Sequence, residues 1–363
     1  MADGAMWDAV VGQDRAVALL QRAAARPVHA YLLVGPRGSG VEEAARCFAA
    51  ELIGATDDDR VLRGRHPDVV EFRPAATTYS VDRDVRAAIL PAVHASPVEG
   101  DRKCVVLLEA DRLNPESGNT LLKSIEEPPG RTIFVLVAES AGEVLPTIRS
   151  RCQRVDFGSI ATPTLLAELE RRGIDAPGAE LAAALAGGRL DRAVALAGPL
   201  ASLRAAFAAV PAQIDGSGAH ALALALGLGE AVKDTLAGLE AKQEGELAVL
   251  DEEIERRQYA PRTAQAMRRR VTDRQKREAR RAGTDALLEG ITALESVYRD
   301  ALAGDAEPVN VDRPRLAVDP RAAARALEAA RAAREAFEFN PNADLLLLRL
   351  LLHLPPIAPG AAG

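Results

Sequence analysis

Aromatic side chains are scarce, at 12 of 363 residues. A core without large rings must be assembled from many small aliphatic contacts, and 72 of the residues are alanine. Alanine loses no side-chain entropy and is the best helix former, so helix faces of Ala and Leu are expected to dominate the packing. Lysine is scarcer still: Lys103, Lys123, Lys233, Lys242 and Lys276 stand against 40 arginines. Most of that ratio is the mark of a GC-rich genome, but any chemistry that needs a lysine has only these positions. Cys47, Cys104 and Cys152 are far apart with no C-x-x-C pair, which excludes a disulfide framework and a cysteine zinc site. His29, His66, His94, His220 and His353 show no metal-ligand spacing, and Gly38-Ser39-Gly40 is not a nucleophile elbow. No apolar run, residues 345–348 included, is long enough to span a bilayer; with no signal peptide, a cytoplasmic protein is expected.

What is present is a composition 48% hydrophobic and 27% charged, enough at this length for two or three packed domains. The net charge of −7 argues against a chain that binds polyanions over its whole surface, though a local basic stripe remains possible. Strand-like stretches at 30–34, 68–72, 104–108, 132–138 and 152–157, the first, third and fourth of them almost wholly apolar, alternate with helical stretches at 41–53, 81–95 and 115–127. Unbroken apolar strands separated by helices predict an α/β domain with a parallel sheet covered on both faces, over residues 1–160. Three short helices punctuated by Gly and Pro fill 161–199, and long helices fill 200–355, broken at Pro261; residues 356–363 read as a flexible tail.

Gly35-Pro36-Arg37-Gly38-Ser39-Gly40-Val41-Glu42 lies between the first strand and the first long helix, the setting of a P-loop, G-x-x-x-x-G-K-[ST]. The glycines that let a backbone cradle phosphate are kept. The lysine position is Val41 and the Mg²⁺-binding hydroxyl position is Glu42. A carboxylate about 5 Å from phosphate charge costs roughly 3 kcal/mol per pair at an effective dielectric near 20. After the third strand, the aspartate of a Walker B sequence is Leu108, while Glu109 and nearby Asp111 remain. After the fourth, Leu136-Val137-Ala138 replaces a polar sensor. The joint pattern is a P-loop fold that has given up hydrolysis.

Four ordered boxes then carry a family resemblance: Trp7-Asp8-Ala9-Val10-Val11-Gly12-Gln13, His29-Ala30-Tyr31-Leu32-Leu33-Val34-Gly35-Pro36, Gly118-Asn119-Thr120-Leu121-Leu122-Lys123-Ser124-Ile125-Glu126-Glu127-Pro128-Pro129, and Leu145-Pro146-Thr147-Ile148-Arg149-Ser150-Arg151-Cys152. They resemble the clamp-loader AAA+ family, and Ser150-Arg151-Cys152 is similar to its SRC motif. A degenerate P-loop with an intact SRC resembles the delta-prime branch of bacterial DNA polymerase III clamp loaders. The segment from Phe339-Asn340-Pro341-Asn342 into residues 345–352 is similar to the family's last helix.

The resemblance implies a RecA-like α/β domain, a small helical lid and an all-α collar that holds the chain in a hetero-oligomeric ring. It implies an accessory, non-hydrolysing subunit working at the replication fork, in the nucleoid. Its partners would be motor subunits of gamma/tau type, a delta subunit, a sliding clamp and, through the complex, primed DNA. It implies that Arg151, supported by Arg149, reaches ATP held with Mg²⁺ by a neighbouring subunit, so that this chain needs no cofactor of its own. Arg192 stands where ATP-using relatives place a second sensor; with no nucleotide beside it, a structural role is expected. Residues 54–67 contain no cysteine, so the four-cysteine zinc module of many relatives is not carried over.

Two other readings stay open. One is a divergent ATPase that binds nucleotide through Gly35, Gly38 and Gly40 with Arg37 in place of the lysine. The other is a DNA-binding module using residues 256–281, which hold 11 Lys or Arg and only Asp273 and Glu278 as acids. Against the second, residues 244–255 are acidic, and the two stretches could face each other as arms of a helical hairpin.

Overall fold

The computed structural model describes residues 6–74, 77–304, 306–337 and 342–356. Phe339, Asn340 and Pro341 of the similarity to the family's last helix, and the tail from 357 onward, lie outside them. Two compact units divide the chain, Met1–Val194 and Ala195–Gly363.

In the first unit, α1 (Asp14–Ala25) precedes β1 (Ala30–Val34), which feeds α2 (Val41–Ile53). The short α3 (Asp59–Leu62) leads to β2 (Val69–Phe72). A π-helical stretch, Val81–Ile89, continues as α4 (Leu90–His94). An uninterrupted α-helix is expected over 81–95; Pro91 has no N–H to return to residue 87, which loosens the turn there. Then come β3 (Lys103–Leu107), α5 (Pro115–Glu126), β4 (Thr132–Ala138), α6 (Pro146–Arg149) and β5 (Gln153–Asp156). Three helices, α7 (Thr162–Arg171), α8 (Ala176–Leu185) and α9 (Leu190–Leu196), follow.

The five strands form one parallel sheet in the order β2-β3-β4-β1-β5. Leu33 is in register with Val137, and Leu107 with Leu136. Every residue of β1, β3 and β4 is buried, as a sheet covered on both faces requires. One face packs Tyr31, Leu33, Val106 and Val135 against α1 and α2; the other packs Leu32, Val105 and Phe134 against Ile89, Leu121 and Ile125. Tyr31 and Phe48 meet edge to face, with ring centroids 4.7 Å apart. Aligning all strands puts their C-terminal ends, and the loops that follow β1 and β3, at one edge of the sheet, where ligands of open α/β folds bind.

The second unit is helical: α10 (Ala201–Gln213), α11 (Gly218–Arg257), α12 (Pro261–Leu302), α13 (Pro320–Ala336) and α14 (Ala343–His353). Its core joins Phe207, Ile291, Leu294 and Tyr298 to Leu347, Leu350 and Leu351. On α13, buried Ala323, Ala326, Ala330 and Ala333 recur at helical spacing. Small residues on that stripe let neighbouring helices approach closely, which is how an alanine-rich chain fills a core with few rings. Buried Arg204 pairs with Asp312 at 2.6 and 2.7 Å and with Asn310 at 2.7 Å, tying the loop after α12 to α10. No single helix among the described residues is long and apolar enough to cross a membrane.

α11 and α12 run 40 and 42 residues and are antiparallel neighbours. The turn between them uses Gln258 at φ 49 and Pro261 at the start of α12. Arg268 donates to Asp251 at 2.6 Å, and Arg274 pairs with Glu246. Midway, buried Gln275 donates to the Gln243 carbonyl at 2.9 Å, and Gln243 returns a bond to the Gln275 carbonyl at 3.3 Å. The charge blocks do face each other across a hairpin, and a paired glutamine layer fixes its register.

Candidate functional site

The loop after β1 opens α2 through Gly40, at φ 88, and turns at Gly38, at φ 68. Both are left-handed backbone that other residues adopt at a cost. A Cβ on Gly38 would also overlap the carboxylate of Asp191 at the start of α9. The Leu190 N–H donates to the Gly38 carbonyl at 2.8 Å. Helix α9 is therefore seated directly on the loop, and a carboxylate lies against the glycine that would face phosphate. Gln13 stitches the other side: its amide donates to the carbonyls of Ser39 at 2.9 Å and Gly158 at 2.7 Å. Ser39 is buried, and its hydroxyl has no hydrogen-bond partner among the described residues.

Val41 points into the core, 3% exposed. Glu42, at the hydroxyl position, accepts both of its carboxylate bonds from one Arg73 nitrogen, at 2.8 and 2.9 Å. The other terminal nitrogen of Arg73 donates to Glu109 at 2.5 Å. Arg37 approaches Glu109 at 3.3 Å and Glu139 at 3.5 Å. Arg112 approaches the second Glu109 oxygen at 3.0 Å. Arg46 joins Glu42 at 3.8 Å to Glu71 at 2.7 Å. Charge-assisted bonds of this kind are about twice as strong as neutral ones, so Glu42 and Glu109 are both already paired by arginines of the chain, Glu109 Oε2 through its ion-pair contact with Arg112.

The Walker B end of β3 is closed as well. Leu108 is buried, and its carbonyl accepts from the Tyr79 hydroxyl at 2.5 Å. Burial pushes the Tyr79 phenol well above its ordinary range, so it stays a donor. Glu109 follows at φ 55, a left-handed conformation uncommon outside glycine. That bend turns its carboxyl into the arginine cluster, 6% exposed. Asp111 instead accepts from the Glu139 backbone N–H at 3.3 Å. The residues present do not fit a magnesium triphosphate: no lysine or hydroxyl stands in the loop's two key positions, and Leu108 offers no metal ligand.

Arg151 belongs to a separate place. It follows the α6 turn, 37% exposed, and shares no hydrogen bond with residues 35–42. Its Nε pairs with Glu126 at the end of α5, and one terminal nitrogen donates to the Thr147 carbonyl at 2.9 Å and the Ser150 hydroxyl at 3.3 Å. Arg149 donates to the Ala141 carbonyl at 2.8 Å, which fixes the turn. Cys152 is half-buried, and burial pushes its thiol up to about 12, so packing rather than thiolate chemistry is its role. Arg192 follows Asp191 on α9, and its N–H donates to that carboxylate at 2.7 Å.

The stretch without cysteines carries another cluster. Asp58, buried His66 and Glu99 converge, but Arg60 pairs with Glu99 at 2.7 Å and with Asp58 at 2.6 Å. His66 Nδ1 accepts the Asp68 N–H at 3.1 Å, so its Nε2 carries the proton and is no metal ligand. The position of a cation there is taken by an arginine of the chain.

Residues 12–161, which hold this entire loop and strand system, match the family described as DNA polymerase III, delta subunit. Over this stretch the chain is similar to subunits of DNA polymerase III. Over 139 residues it is 34% identical to DNA polymerase III subunit delta' of Pseudomonas aeruginosa, covering 35% of this chain and 42% of that protein. It is 33% identical to DNA polymerase III subunit tau of Bacillus subtilis over 180 residues, 46% of this chain and 31% of that one. The match thus spans less than half the length of either relative. Among solved structures, a DNA polymerase III gamma subunit-related protein of Thermotoga maritima aligns with 92% of this chain and 97% of its own, at 18% identity and a TM-score of 0.47. The family match ends at residue 161, so the second unit lies outside it.

Arg73, Tyr79, Asp191, Gln13 and Glu126 escape a reading of the sequence as site residues. Gln13 and Glu126 both lie in stretches that carry the family resemblance, Glu126 as part of Glu-Glu-Pro-Pro, but neither has a role attached to it there. Arg73, Tyr79 and Asp191 carry no local motif.

Proposed function

We propose that this chain is the non-hydrolysing, delta-prime-type subunit of a bacterial sliding-clamp loader. In this reading, residues 161–199 form the lid and 200–355 the collar that joins motor subunits of gamma/tau type and a delta subunit in a ring. The clamp and primed DNA are reached through the assembled complex. The chain holds no nucleotide; Arg151 presents its planar fork to ATP bound by a neighbour, with Arg149 steadying the turn. An arginine given in trans is worth roughly 10³ to 10⁵ in rate, or about 4 to 7 kcal/mol of barrier.

The observation that carries this reading is the bidentate hold of Arg73 on Glu42, at 2.8 and 2.9 Å, in the loop where a Mg²⁺-binding hydroxyl would stand. It also weighs against an ATPase that uses Arg37, because that guanidinium faces Glu109 and Glu139. Titration of the isolated chain with a fluorescent ATP analogue tests it. No saturable binding is expected at micromolar nucleotide. Micromolar affinity with Mg²⁺-dependent turnover would overturn the proposal.

A further inference from the structure

The sequence stretch 256–281 contains more cations than its hairpin pairing uses. On a helix of 100° per residue, Arg262, Arg269, Arg270, Lys276, Arg277 and Arg280 of α12 lie within an arc of about 120° centred opposite the seam residue Gln275. All are exposed. Arg268 and Arg274, which do pair across the hairpin, lie outside that arc. Within it the one acid is Asp273, 3.7 Å from Arg269. Arg262, Arg270, Lys276, Arg277 and Arg280 make no ion pair among the described residues. The stripe runs for about 28 Å along a straight helix.

We propose that this stripe binds the phosphate backbone of double-stranded nucleic acid. Charge complementarity selects the occupant: a row of permanently charged forks, one every few ångströms, suits a row of phosphates. Single strands are gripped by stacking bases on aromatic rings, and the stripe has none. Tyr259, at the hairpin tip, is engaged by Arg257 at 3.3 Å. A protein partner needs a buried anchor, and the outward face between these cations offers only small residues such as Ala266. No side chain here is arranged to read bases, so the binding is sequence-independent. The inference concerns the second unit alone and stands whether or not the first unit serves a clamp loader.

The test is fluorescence anisotropy of the full-length chain with a labelled mixed-sequence duplex, titrated from about 50 to about 200 mM salt. With about five phosphate contacts, log K is expected to fall with log salt at a slope near −4 to −5. The variant R262E/R270E/R277E/R280E is expected to lose more than tenfold in affinity while keeping its helical circular dichroism. A control with the same charge change at exposed arginines elsewhere, R15E/R65E/R83E/R325E, is expected to lose far less. No duplex binding at the lowest salt, an equal loss in the control, or a single strand bound as tightly as the duplex would overturn the proposal. So would a stripe variant that binds duplex normally but fails to join partner subunits, because the stripe would then be a protein-docking surface.

Discussion

Arg73, just past the end of β2, grips Glu42, in the first turn of α2, through two bonds of 2.8 and 2.9 Å to one nitrogen. The same side chain reaches Glu109 at the end of β3. Three elements that would shape a nucleotide pocket are thereby tied together by one guanidinium. Removing it as Arg73→Ala leaves Glu109, 6% exposed, with less charge compensation. Since Arg73 is itself about one-third exposed, the expected loss is about 1 kcal/mol rather than that of a fully buried pair. Urea unfolding measures it. Nucleotide binding is not expected to appear in the variant, because Val41 and Leu108 still supply neither lysine nor metal ligand.

Restoring the loop alone is the converse case. Val41→Lys with Glu42→Thr rebuilds the two missing P-loop residues but strands the Arg73 fork and leaves Leu108 in place. The variant is expected to remain without Mg²⁺-dependent ATP hydrolysis in a phosphate-release assay. Hydrolysis by the isolated variant would show that the loop sequence, and not the ion pairs and β3 end around it, holds the site silent.

Arg151 rests on Glu126 in the isolated chain. The two side chains are 37% and 42% exposed, so the pair contributes little to folding. Glu126→Gln is expected to shift the unfolding free energy by no more than about 0.5 kcal/mol. It frees the guanidinium from a competing carboxylate, so association with the motor subunit proposed as its neighbour, read by surface plasmon resonance, is expected to tighten a few-fold. Weaker association would mean that Glu126 positions Arg151 instead of competing for it.

The second unit has a pH signature of its own. Hydrogen bonds from buried Arg204 hold the Asp312 carboxyl below the usual range, against the partial desolvation that would raise it. A carboxyl whose folded value is lowered stabilises the fold fully above its unfolded value, near 3.8, and loses that contribution as pH falls through the lowered folded value. Acid titration of wild type and Asp312→Asn is expected to show the difference in stability at neutral pH shrinking below about pH 4. A difference independent of pH would contradict it.

The strands and the hairpin break at Pro261 were legible because apolar runs, glycines and blocks of like charge are local signals. Val41 and Leu108, standing where a P-loop lysine and a Walker B aspartate are expected, were legible from the sequence directly. Arg73 was not. It is one of 40 arginines, and its partners lie 31 and 36 residues away, joined to it only by the order of the strands. Asp191 is hidden in the same way: its contact with Gly38 exists because α9 folds back onto the loop. Sequence shows which side chains stand at the loop's key positions, whereas tertiary structure shows what those side chains pair with.

The central claim is that this chain gives an arginine and takes no nucleotide. The direct measurement is DNA- and clamp-stimulated ATPase of the complex reconstituted with motor and delta subunits, comparing wild type with Arg151→Ala. Assembly by size exclusion is expected to be unchanged, and the stimulated rate to fall by at least about 10³ at the site this chain completes. An intact complex whose rate is the same with and without Arg151 would contradict the account.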